Sequence, residues 1–306
     1  MTGDHHDNPT EALVRGEEGQ LFGLAYRMLG SVAEAEDAVQ EAFLRWTHTD
    51  RAVVEQPAAW LTTTLTRICL DRLRSAQHRR ESYVGQWLPE PIATDTDPAD
   101  AADAADSLTF AFLVVLQSLS PLERAAFLLH DVFGHDFGEV ARMLERSPAA
   151  VRQLASRARA HVAARPTRQR ADRAQARMVT EAFLAACAGD DLEAMMGVLA
   201  PDIVFVGDGG GKATAVPVPV RGAGRVGGML RGFWRVGARQ GLSVEVVEVN
   251  SEPAIWVRDG TRTDSLLVLE VSEDRITAIR GVRNPEKLAS FQPGTRPVAS
   301  SSPALR

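Results

Sequence analysis

The sequence predicts two all-α helical regions followed by an α+β domain, and three observations support this fold class. Apolar residues recur at helical spacing from about residue 11 to residue 164. A tract rich in Pro, Asp and Ala interrupts this pattern between residues 86 and 106, so the helices fall into two groups. After residue 175, two helical segments precede runs of alternating apolar and polar residues, which indicate the strands of a curved antiparallel sheet.

Composition and charge indicate a globular chain that contacts nucleic acid locally. Of its 306 residues, 45% are hydrophobic and 24% charged, and the net charge is −6. The charge is uneven: nine arginines and one aspartate lie within Arg146–Arg177, and five arginines lie within Arg67–Arg80. Six acidic residues and no basic one lie within Pro89–Asp106. We therefore expect two basic contact surfaces on an otherwise acidic protein.

The sequence contains no sign of a membrane span, a signal peptide or a metal centre. No apolar run approaches about 18 residues, and the N-terminal MTGDHHDNPTEA lacks the basic and apolar parts of a signal peptide. We expect a cytoplasmic protein with no membrane association. Cys69 and Cys187 are too few for a disulfide framework or a zinc site, so both are predicted core residues, and no metal or cofactor is expected.

The segment FGEVARMLERSPAAVRQLASRARAHV, which follows Asp136, predicts a helix-turn-helix. Ser147 can cap the second helix, and Pro148 suits its first turn. Val151, Leu154, Ala155 and Ala158 fall on one face of that helix, which is predicted to pack inward. The other face carries side chains that read base edges and bind phosphates, namely Arg152, Gln153, Ser156, Arg157 and Arg159.

Two N-terminal segments predict amphipathic helices. In AEAEDAVQEAFLRW the apolar residues form one stripe, and Asp37, Gln40 and Glu41 lie around the other side. Taken alone, these three residues are most simply a solvated surface. The helix from Trp60 to about Arg80 carries arginines toward its C-terminus, where they also complement the helix dipole. Their charge by itself therefore does not establish contact with DNA.

The first 165 residues resemble the extracytoplasmic-function (ECF) sigma factors of bacterial RNA polymerase. The resemblance rests on EDAVQEAFLRW, on WLTTTLTRICLDRLRSAQHRR and on LSPLERAAFLLHDVFGHDFGEVARMLERSPAAVRQLASRARAHV, which occur in the family's order. It implies a transcription initiation factor in which the two helical domains are sigma region 2 and sigma region 4. The implied partners are core RNA polymerase, through its β′ clamp helices and β flap, and promoter DNA.

The resemblance also implies roles for individual side chains. Those that would dock on the β′ clamp helices are Asp37, Gln40 and Glu41, which replaces the interpretation of a solvated surface. Those that would melt the −10 element, by capturing a flipped base and holding the displaced strand, are Trp60, Arg67, Arg72, Arg74, Arg79 and Arg80. The five polar residues of the helix that begins at Pro148 would read the −35 element.

Two positions depart from the family pattern. Many members have asparagine where this chain has Arg67, which leaves the preferred flipped base open. The turn before Ser147 often holds glycine, and here it reads Glu145-Arg146. We expect this turn to form with mild backbone strain.

The last 120 or so residues resemble the SnoaL-like (nuclear-transport-factor-2-like) cone fold, an α+β barrel with a central pocket. Sigma factors with this fusion form a SigJ-like subgroup, in which the fused domain is taken to replace an anti-sigma protein. The subgroup's WLP, DGGGK and NPDKL-type elements match Trp87, Leu88 and Pro89; Asp208, Gly209, Gly210, Gly211 and Lys212; and Asn284, Pro285, Glu286, Lys287 and Leu288. The chain's two lysines both fall in these elements. We predict that the three elements form interdomain regulatory contacts.

These arguments divide the chain into seven parts. We predict a disordered tail over 1–10, region 2 over 11–85, a flexible acidic linker over 86–106, region 4 over 107–165, a linker over 166–175, the SnoaL-like domain over 176–291 and a disordered tail over 292–306. The free chain is expected to be a monomer.

Three hypotheses are open for the third domain. It would regulate the factor in cis by packing against regions 2 and 4, bind a small-molecule ligand in its pocket as a sensor, or act as an enzyme. Every histidine lies at or before His161, which excludes an Asp–His dyad within this domain and leaves single-carboxylate chemistry by Asp202, Asp208 or Glu270. Because fold analogy alone is weak support for catalysis, we predict a regulatory domain and no enzyme.

Overall fold

The computed structural model describes residues 9–50, 52, 54–81, 83–94, 109–164, 171–289 and 291, and the chain forms two compact units. The first unit comprises Met1–Glu81 and Val115–Pro166, and the second comprises Ser82–Val114 and Thr167–Arg306. Most of the two predicted tails and part of each predicted linker lie outside the described residues. Helix α1 (Pro9–Leu29) nevertheless begins inside the predicted N-terminal tail.

The helices up to residue 164 follow the predicted amphipathic segments. After α1 they are α2 (Val32–Thr47), α3 (Pro57–Glu81), α4 (Phe110–Leu116), α5 (Pro121–Phe127), α6 (Phe137–Leu144) and α7 (Pro148–Ala163), and α5 continues as a π-helical turn over Leu128–Val132. Side-chain caps fix several starts: Ser31 accepts a hydrogen bond from the backbone N–H of Glu34, and Ser147 accepts one from that of Ala150. The helix starts are therefore encoded locally in the sequence.

The first unit buries the apolar stripes of these helices, except for α4, whose residues up to Val114 belong to the second unit. In α7 the buried residues are the four predicted ones, Val151, Leu154, Ala155 and Ala158. In the N-terminal part, α1, α2 and α3 pack together around a core that includes Leu21, Tyr26, Ala35, Trp46, Leu61 and Leu65. Helix α3 also packs against α5 and α6, so both helical regions contribute to one unit.

The second unit is an α+β domain built on a six-stranded sheet with the order β2-β1-β6-β5-β4-β3. The strands are β1 (Leu199–Asp208), β2 (Val220–Arg221), β3 (Ser243–Val249), β4 (Glu252–Asp259), β5 (Arg262–Ser272) and β6 (Arg275–Val282). The helices are α8 (Arg173–Ala188), α9 (Leu192–Val198), α10 (Ala223–Arg239) and α11 (Pro285–Leu288).

Two details of the predicted sheet need correction. The sheet is mixed and not purely antiparallel, because β1 pairs in parallel with β6, with Phe205 opposite Ile279. As a result the carboxyl ends of β1 and β6 lie side by side. The alternating segment VPVPV, over 216–220, also indicates a strand, but only Val220 belongs to β2, because the prolines at 217 and 219 have no N–H to donate to a neighbouring strand.

The two faces of this sheet carry separate apolar layers. One layer lies between the sheet and α8, α9 and α10, and it includes Phe183, Met195, Phe205, Ile255 and Ile279. The opposite layer is formed with residues from outside the sheet, namely Leu88, Phe110, Leu288 and Phe291. The ring of Phe291 lies edge-on to that of Trp256, with centroids 5.9 Å apart. The second face is therefore covered by the chain's own connecting segments.

The predicted flexible linker is consequently ordered in its first part. The backbone of Ala93 bridges to Val249, and Ile92 and Asn250 exchange hydrogen bonds, with the Asn250 side chain accepting at 3.1 Å and its backbone N–H donating at 2.9 Å. Residues 86–94 are thus a covering segment of the sheet and not a free connection. The sequence predicted a flexible linker because this segment has few apolar residues, such as Leu88 and Ile92, and these lie among prolines and acidic residues.

Both cysteines are buried, as the sequence predicted. Burial raises the pKa of the Cys69 thiol and that of the Cys187 thiol to about 12, which leaves both unreactive near neutral pH. Among the residues that the structure describes, no helix has the length and apolar character needed to cross a membrane.

Candidate polymerase, promoter and regulatory surfaces

The candidate polymerase surface lies on α2. Asp37 and Gln40 are exposed, and Glu41 is partly buried. Glu41 accepts hydrogen bonds from Arg45 at 2.7 Å and from Arg72 of α3 at 3.0 Å. Partial burial acts to raise the pKa of Glu41, but the hydrogen bonds from Arg72 and Arg45 outweigh it and hold the pKa below its usual value. This acidic face is therefore fixed to α3 by an ion pair.

Leu44 also belongs to this face, and sequence reasoning missed it. It lies one turn after Gln40 and Glu41, and it is 54% exposed. A single exposed leucine is ordinary on a protein surface. Leu44 is a candidate because it lies beside the three polar residues predicted to dock on polymerase. The sequence could have indicated it, since Leu44 falls outside the buried apolar stripe of α2.

The aromatic part of the candidate −10 surface is Trp60, near the start of α3. Its ring is tilted against that of Trp46, with centroids 5.4 Å apart, and it is only partly buried. This packing fixes the side chain while leaving part of it accessible.

The candidate −10 arginines have different surroundings. Arg72 donates to the backbone oxygen of Glu34 at 2.9 Å as well as to Glu41, so it links α3 to α2. Arg74 is exposed and pairs with Asp71 at 2.8 Å. Arg67 is half-exposed and pairs with Glu145, in the turn of the helix-turn-helix, at 2.9 Å. The side chains of Arg79 and Arg80 lie outside the described residues.

Further contacts join the two helical regions within the first unit. Arg124 of α5 is buried and donates to the backbone oxygen of Met28 at the end of α1. The Arg27 guanidinium lies 5.5 Å from the ring centroid of Phe133, and burial lowers the pKa of Arg27 to about 10. Together with the Arg67–Glu145 pair, these contacts hold α5 and α6 against α1 and α3.

The candidate −35 helix, α7, presents its five predicted residues to solvent. Arg157 pairs with Glu123 at 2.8 Å and Arg159 with Asp131 at 2.7 Å, while Arg152 lies 5.7 Å from the ring centroid of Phe137. These partners orient the arginines, and two of them are carboxylates.

The turn between α6 and α7 has the predicted strain. Glu145 adopts the left-handed conformation, with φ 54° and ψ 49°, where glycine is usually favoured. A cleft of about 550 Å³ lies beside this turn, and Arg142 and Arg146 contribute to its lining. These two arginines extend the basic surface beyond the five predicted residues.

The three short elements of the candidate regulatory site meet within the second unit. Asp208, at the end of β1, is fully buried. Its side chain accepts hydrogen bonds from the Tyr83 hydroxyl at 2.6 Å, from the backbone N–H of Leu88 at 2.8 Å and from that of Gly210 at 3.0 Å. Lys287 Nζ donates to the same carboxylate at 2.7 Å. We call this arrangement the Asp208 clasp.

Lys287 is the cation of the Asp208 clasp. Its side chain is 10% exposed, and its Nζ also donates to the backbone oxygen of Leu88. The ammonium lies 4.1 Å from the ring centroid of Trp87 and 5.3 Å from that of Tyr83. The aromatic rings and the carboxylate together compensate a buried charge that would otherwise be costly.

Backbone geometry brings the NPEKL segment to the same place. Because β1 and β6 are parallel neighbours, the residues after β6 pass beside Asp208, whose backbone oxygen accepts hydrogen bonds from the N–H groups of Arg283 and Asn284. The Asn284 side chain donates to the Tyr83 hydroxyl at 3.0 Å. Lys212 forms an exposed ion pair with Glu286, so the two lysines of the chain have different surroundings.

The glycines of the DGGGK element are required by space. A Cβ at Gly209 would lie 2.1 Å from the backbone oxygen of Ala213. Gly210 has φ +59°, and a Cβ there would lie 2.3 Å from the Asn284 side-chain nitrogen. Sequence reasoning found these residues but missed Tyr83, one of only two tyrosines in the chain.

The carboxylates of the enzymatic hypothesis are placed differently from one another. Asp208 is occupied by the clasp. Glu270 accepts two hydrogen bonds from Arg280, at 3.0 and 2.8 Å. Asp202 is exposed. The described residues also contain no group of three or more His, Cys, Asp or Glu side chains arranged to hold a metal ion.

Comparisons with known proteins match both helical regions and the whole chain. The model of Sigma-70 region 2 matches residues 13–79, and that of Sigma-70 region 4 matches residues 109–162. The ECF RNA polymerase sigma factor SigJ of Mycobacterium tuberculosis is 42% identical over 279 residues, which cover 87% of this chain and 89% of SigJ. The probable ECF RNA polymerase sigma factor SigI of the same species is 33% identical over 286 residues, which cover 92% of this chain and 96% of SigI.

The crystal structure of M. tuberculosis SigJ has a TM-score of 0.74 to this chain at 37% identity, covering 91% of this chain and 98% of that one. The predicted fold class is thus confirmed: two helical sigma regions precede an α+β domain of the SnoaL-like type. These regions define a sigma factor of RNA polymerase, which directs promoter-specific initiation of transcription. Within that class, the chain belongs to the ECF sigma factor family.

Proposed function

We propose that α2 docks on core polymerase through Asp37, Gln40, Glu41 and Leu44. The support is an exposed acidic face with one exposed apolar side chain, held in place by the Arg72–Glu41 pair. Charge and shape complementarity at such a face sets the association rate and the orientation of the partners.

We propose that promoter DNA contacts α3 through Trp60, Arg67 and Arg74, and α7 through its five polar residues. Arg157 and Arg159 would exchange Glu123 and Asp131 for phosphate oxygens, and Arg67 would exchange Glu145 in the same way. In this proposal Arg72 positions the polymerase surface and does not contact DNA.

We further propose that the chain is restrained in cis, and the packing of α3 against α5 and α6 carries this proposal. The −10 and −35 elements are centred about 25 base pairs apart, which is about 85 Å of duplex at 3.4 Å per base pair. A compact unit of this length has a radius of gyration of about 14 Å, so regions 2 and 4 packed together within it do not span that distance. Binding to polymerase and promoter must therefore separate them, and a hundredfold shift in population requires about 2.7 kcal/mol.

The third domain acts on this restraint through the connection between the regions. Residues 83–94 follow region 2 in the chain and are bound by the Asp208 clasp and by Asn250. The connection is therefore part of the third domain, so regions 2 and 4 separate only along paths that this domain permits. Binding of a small-molecule ligand to the domain stays a hypothesis.

A distance measurement tests the opening. Ser75 and Ala163 are exposed on α3 and α7, so dyes on Ser75→Cys and Ala163→Cys report the separation of the regions, while the buried native thiols stay unlabelled. We expect high energy transfer in the free chain and a loss of transfer when core polymerase is added. Equal transfer in both states would contradict the proposed opening.

A titration tests the role of the third domain. The full-length chain with Asp208→Asn is compared with Asp202→Asn, which changes an exposed carboxylate of the same strand. Loss of the clasp frees the connection, so we expect several-fold tighter binding to core polymerase. Equal affinity of the two variants would mean that the third domain does not restrain the factor through this contact.

We infer that the third domain is not catalytic. A carboxylate that transfers a proton near neutral pH is usually desolvated and without a permanent cationic partner. Asp208 and Glu270 are each bound by a cation, and Asp202 is exposed. This inference is checked by the same Asp208→Asn chain, since a regulatory clasp predicts altered polymerase binding and a catalytic group does not.

A further inference from the structure

The third domain contains a basic helix that none of these roles uses. From Gly209 to Val244 the sequence holds six basic residues and no acidic one, within a chain whose net charge is −6. Four of the six lie on α10, namely Arg225, Arg231, Arg235 and Arg239. The sequence stretch is 36 residues long, so the charge is a property of this part of the domain and not of one loop.

The arginines of α10 face away from the core of the domain. Val226 and Leu230 are buried against the sheet, whereas Arg225 and Arg239 are exposed. These two arginines are 14 positions apart, which is about 21 Å along a helix. The exposed side of α10 is thus a basic strip, and it is exposed in the full chain.

One carboxylate lies against this strip and does not neutralise it. Asp190, in the turn after α8, accepts hydrogen bonds from Arg231 and Arg235, and its shortest distance to each guanidinium is 2.7 Å. Two arginines share one acid, so this pair of contacts leaves a net positive charge. The two arginines are also held in fixed positions, which lowers the entropy cost of binding a ligand.

An exposed apolar side chain lies beside these arginines. Val236 is 51% exposed and lies three positions before Arg239. Phe233 is also 51% exposed, but it projects from the other flank of the helix, where its ring centroid lies 6.3 Å from that of Phe205. Gly228 and Gly232 lie on the arginine side, and a Cβ at either would meet no atom within 4 Å. Arginines beside an uncovered helix backbone suit an extended anionic ligand.

We propose that the exposed strip of α10, defined by Arg225, Arg235, Val236 and Arg239, is an additional DNA-binding surface that contacts the phosphate backbone. The choice of DNA over an acidic protein rests on the arrangement of the charges. Exposed arginines follow one side of α10 over about 21 Å, which matches the evenly spaced charges of a phosphate backbone, and α7 carries the same residue type. Contacts of this kind add affinity without reading sequence.

The test measures the binding of the full-length chain to a 40-base-pair duplex without promoter sequence, over a series of salt concentrations. The variant Arg225→Gln with Arg239→Gln is compared with Arg177→Gln with Arg262→Gln, which removes the same charge from exposed positions elsewhere in the domain. Each lost phosphate contact lowers the slope of log K against log salt by about 0.9. We expect the α10 variant to lose about 1.8 in slope and roughly tenfold in affinity at low salt, and the control to keep the slope.

Two results would overturn the proposal. One is an unchanged slope in the α10 variant, or the same loss in the control. The other is a loss of affinity for core polymerase with DNA binding unchanged, which would make the strip a protein-binding surface. The same pair in a background with Arg152→Ala and Arg157→Ala separates this test from the assignment of α7, because the contribution of α10 is expected to persist there.

Discussion

This sigma factor has one join between regions 2 and 4 and another between the connection and the third domain. The two joins differ in how far their charged groups are buried. Region 2 meets region 4 through one buried arginine, one cation–π contact and the half-exposed Arg67–Glu145 pair. The connection meets the third domain through the Asp208 clasp, in which a buried carboxylate is bound by a buried ammonium and three further donors. Salt and a partner surface can compete for the exposed ion pair between the regions, whereas the ion pair of the clasp is buried.

From this difference we expect the join between regions 2 and 4 to open and the Asp208 clasp to stay closed. The clasp also rests on an apolar layer that includes Leu88, Phe110 and Leu288. We therefore expect residues 83–94 to remain on the third domain when polymerase separates regions 2 and 4. The third domain would then be a constant component of the connection, and the join between regions 2 and 4 the variable one.

Removing the carboxylate of the clasp is expected to have the largest effect. Asp208→Ala leaves Lys287 buried without its counter-ion, which typically costs about 3–5 kcal/mol of unfolding free energy. The exposed Lys212–Glu286 pair provides the control, because Glu286→Ala is expected to cost less than about 1 kcal/mol. Denaturant unfolding of both full-length variants measures the two costs. Similar values would mean that the clasp is no stronger than a surface pair.

Removing the buried arginine between the regions is expected to have an intermediate effect. Arg124→Met keeps an unbranched side chain but removes the donor to the Met28 backbone oxygen, and a hydrogen bond from a charged group contributes about 1.5–3 kcal/mol. The join should loosen, so energy transfer between dyes at positions 75 and 163 should fall without polymerase. Arg142→Met, at an exposed position of α6, is the matched control. Transfer equal to that of the control would show that other contacts hold the regions together.

The sequence predicted the elements of both joins better than the joins themselves. The apolar face of α7 and its Ser147 cap follow from local patterns, the strained turn at Glu145 follows from the family resemblance, and the structure has all three. Predicting the Asp208 clasp requires knowing that β1 and β6 are parallel neighbours, because this pairing brings Asp208 beside the segment that begins at Asn284. Strand order depends on contacts between distant parts of the chain, so the hydrophobic periodicity of a single segment does not predict it.

The connection was the least predictable part for a related reason. Its composition is that of a flexible linker, and its few apolar residues fit a surface that exists only once the sheet has formed. Tyr83 likewise has no sequence signal beyond the rarity of tyrosine. The family elements WLP, DGGGK and NPEKL identified three parts of the clasp, and the buried ion pair that joins them needed the structure.

The smallest predicted effect concerns the strained turn on the variable join. The left-handed conformation costs a non-glycine residue about 1–2 kcal/mol, and the larger entropy that glycine loses on folding offsets about 0.5–1 kcal/mol of this, so Glu145→Gly should stabilise the turn by about 0.5–1 kcal/mol. The same change breaks the exposed pair with Arg67, and such pairs contribute between about 0 and 1 kcal/mol. Arg67→Ala breaks that pair and leaves the turn unchanged, so the difference between the two variants in thermal unfolding isolates the strain. If the exposed pair is weak, as its half-exposed arginine implies, Glu145→Gly should unfold at a higher temperature than the unmodified chain.

A lower unfolding temperature would mean that the Arg67–Glu145 pair stabilises the join between regions 2 and 4 more than exposed ion pairs usually do. The difference in strength between this join and the Asp208 clasp would then be smaller than proposed.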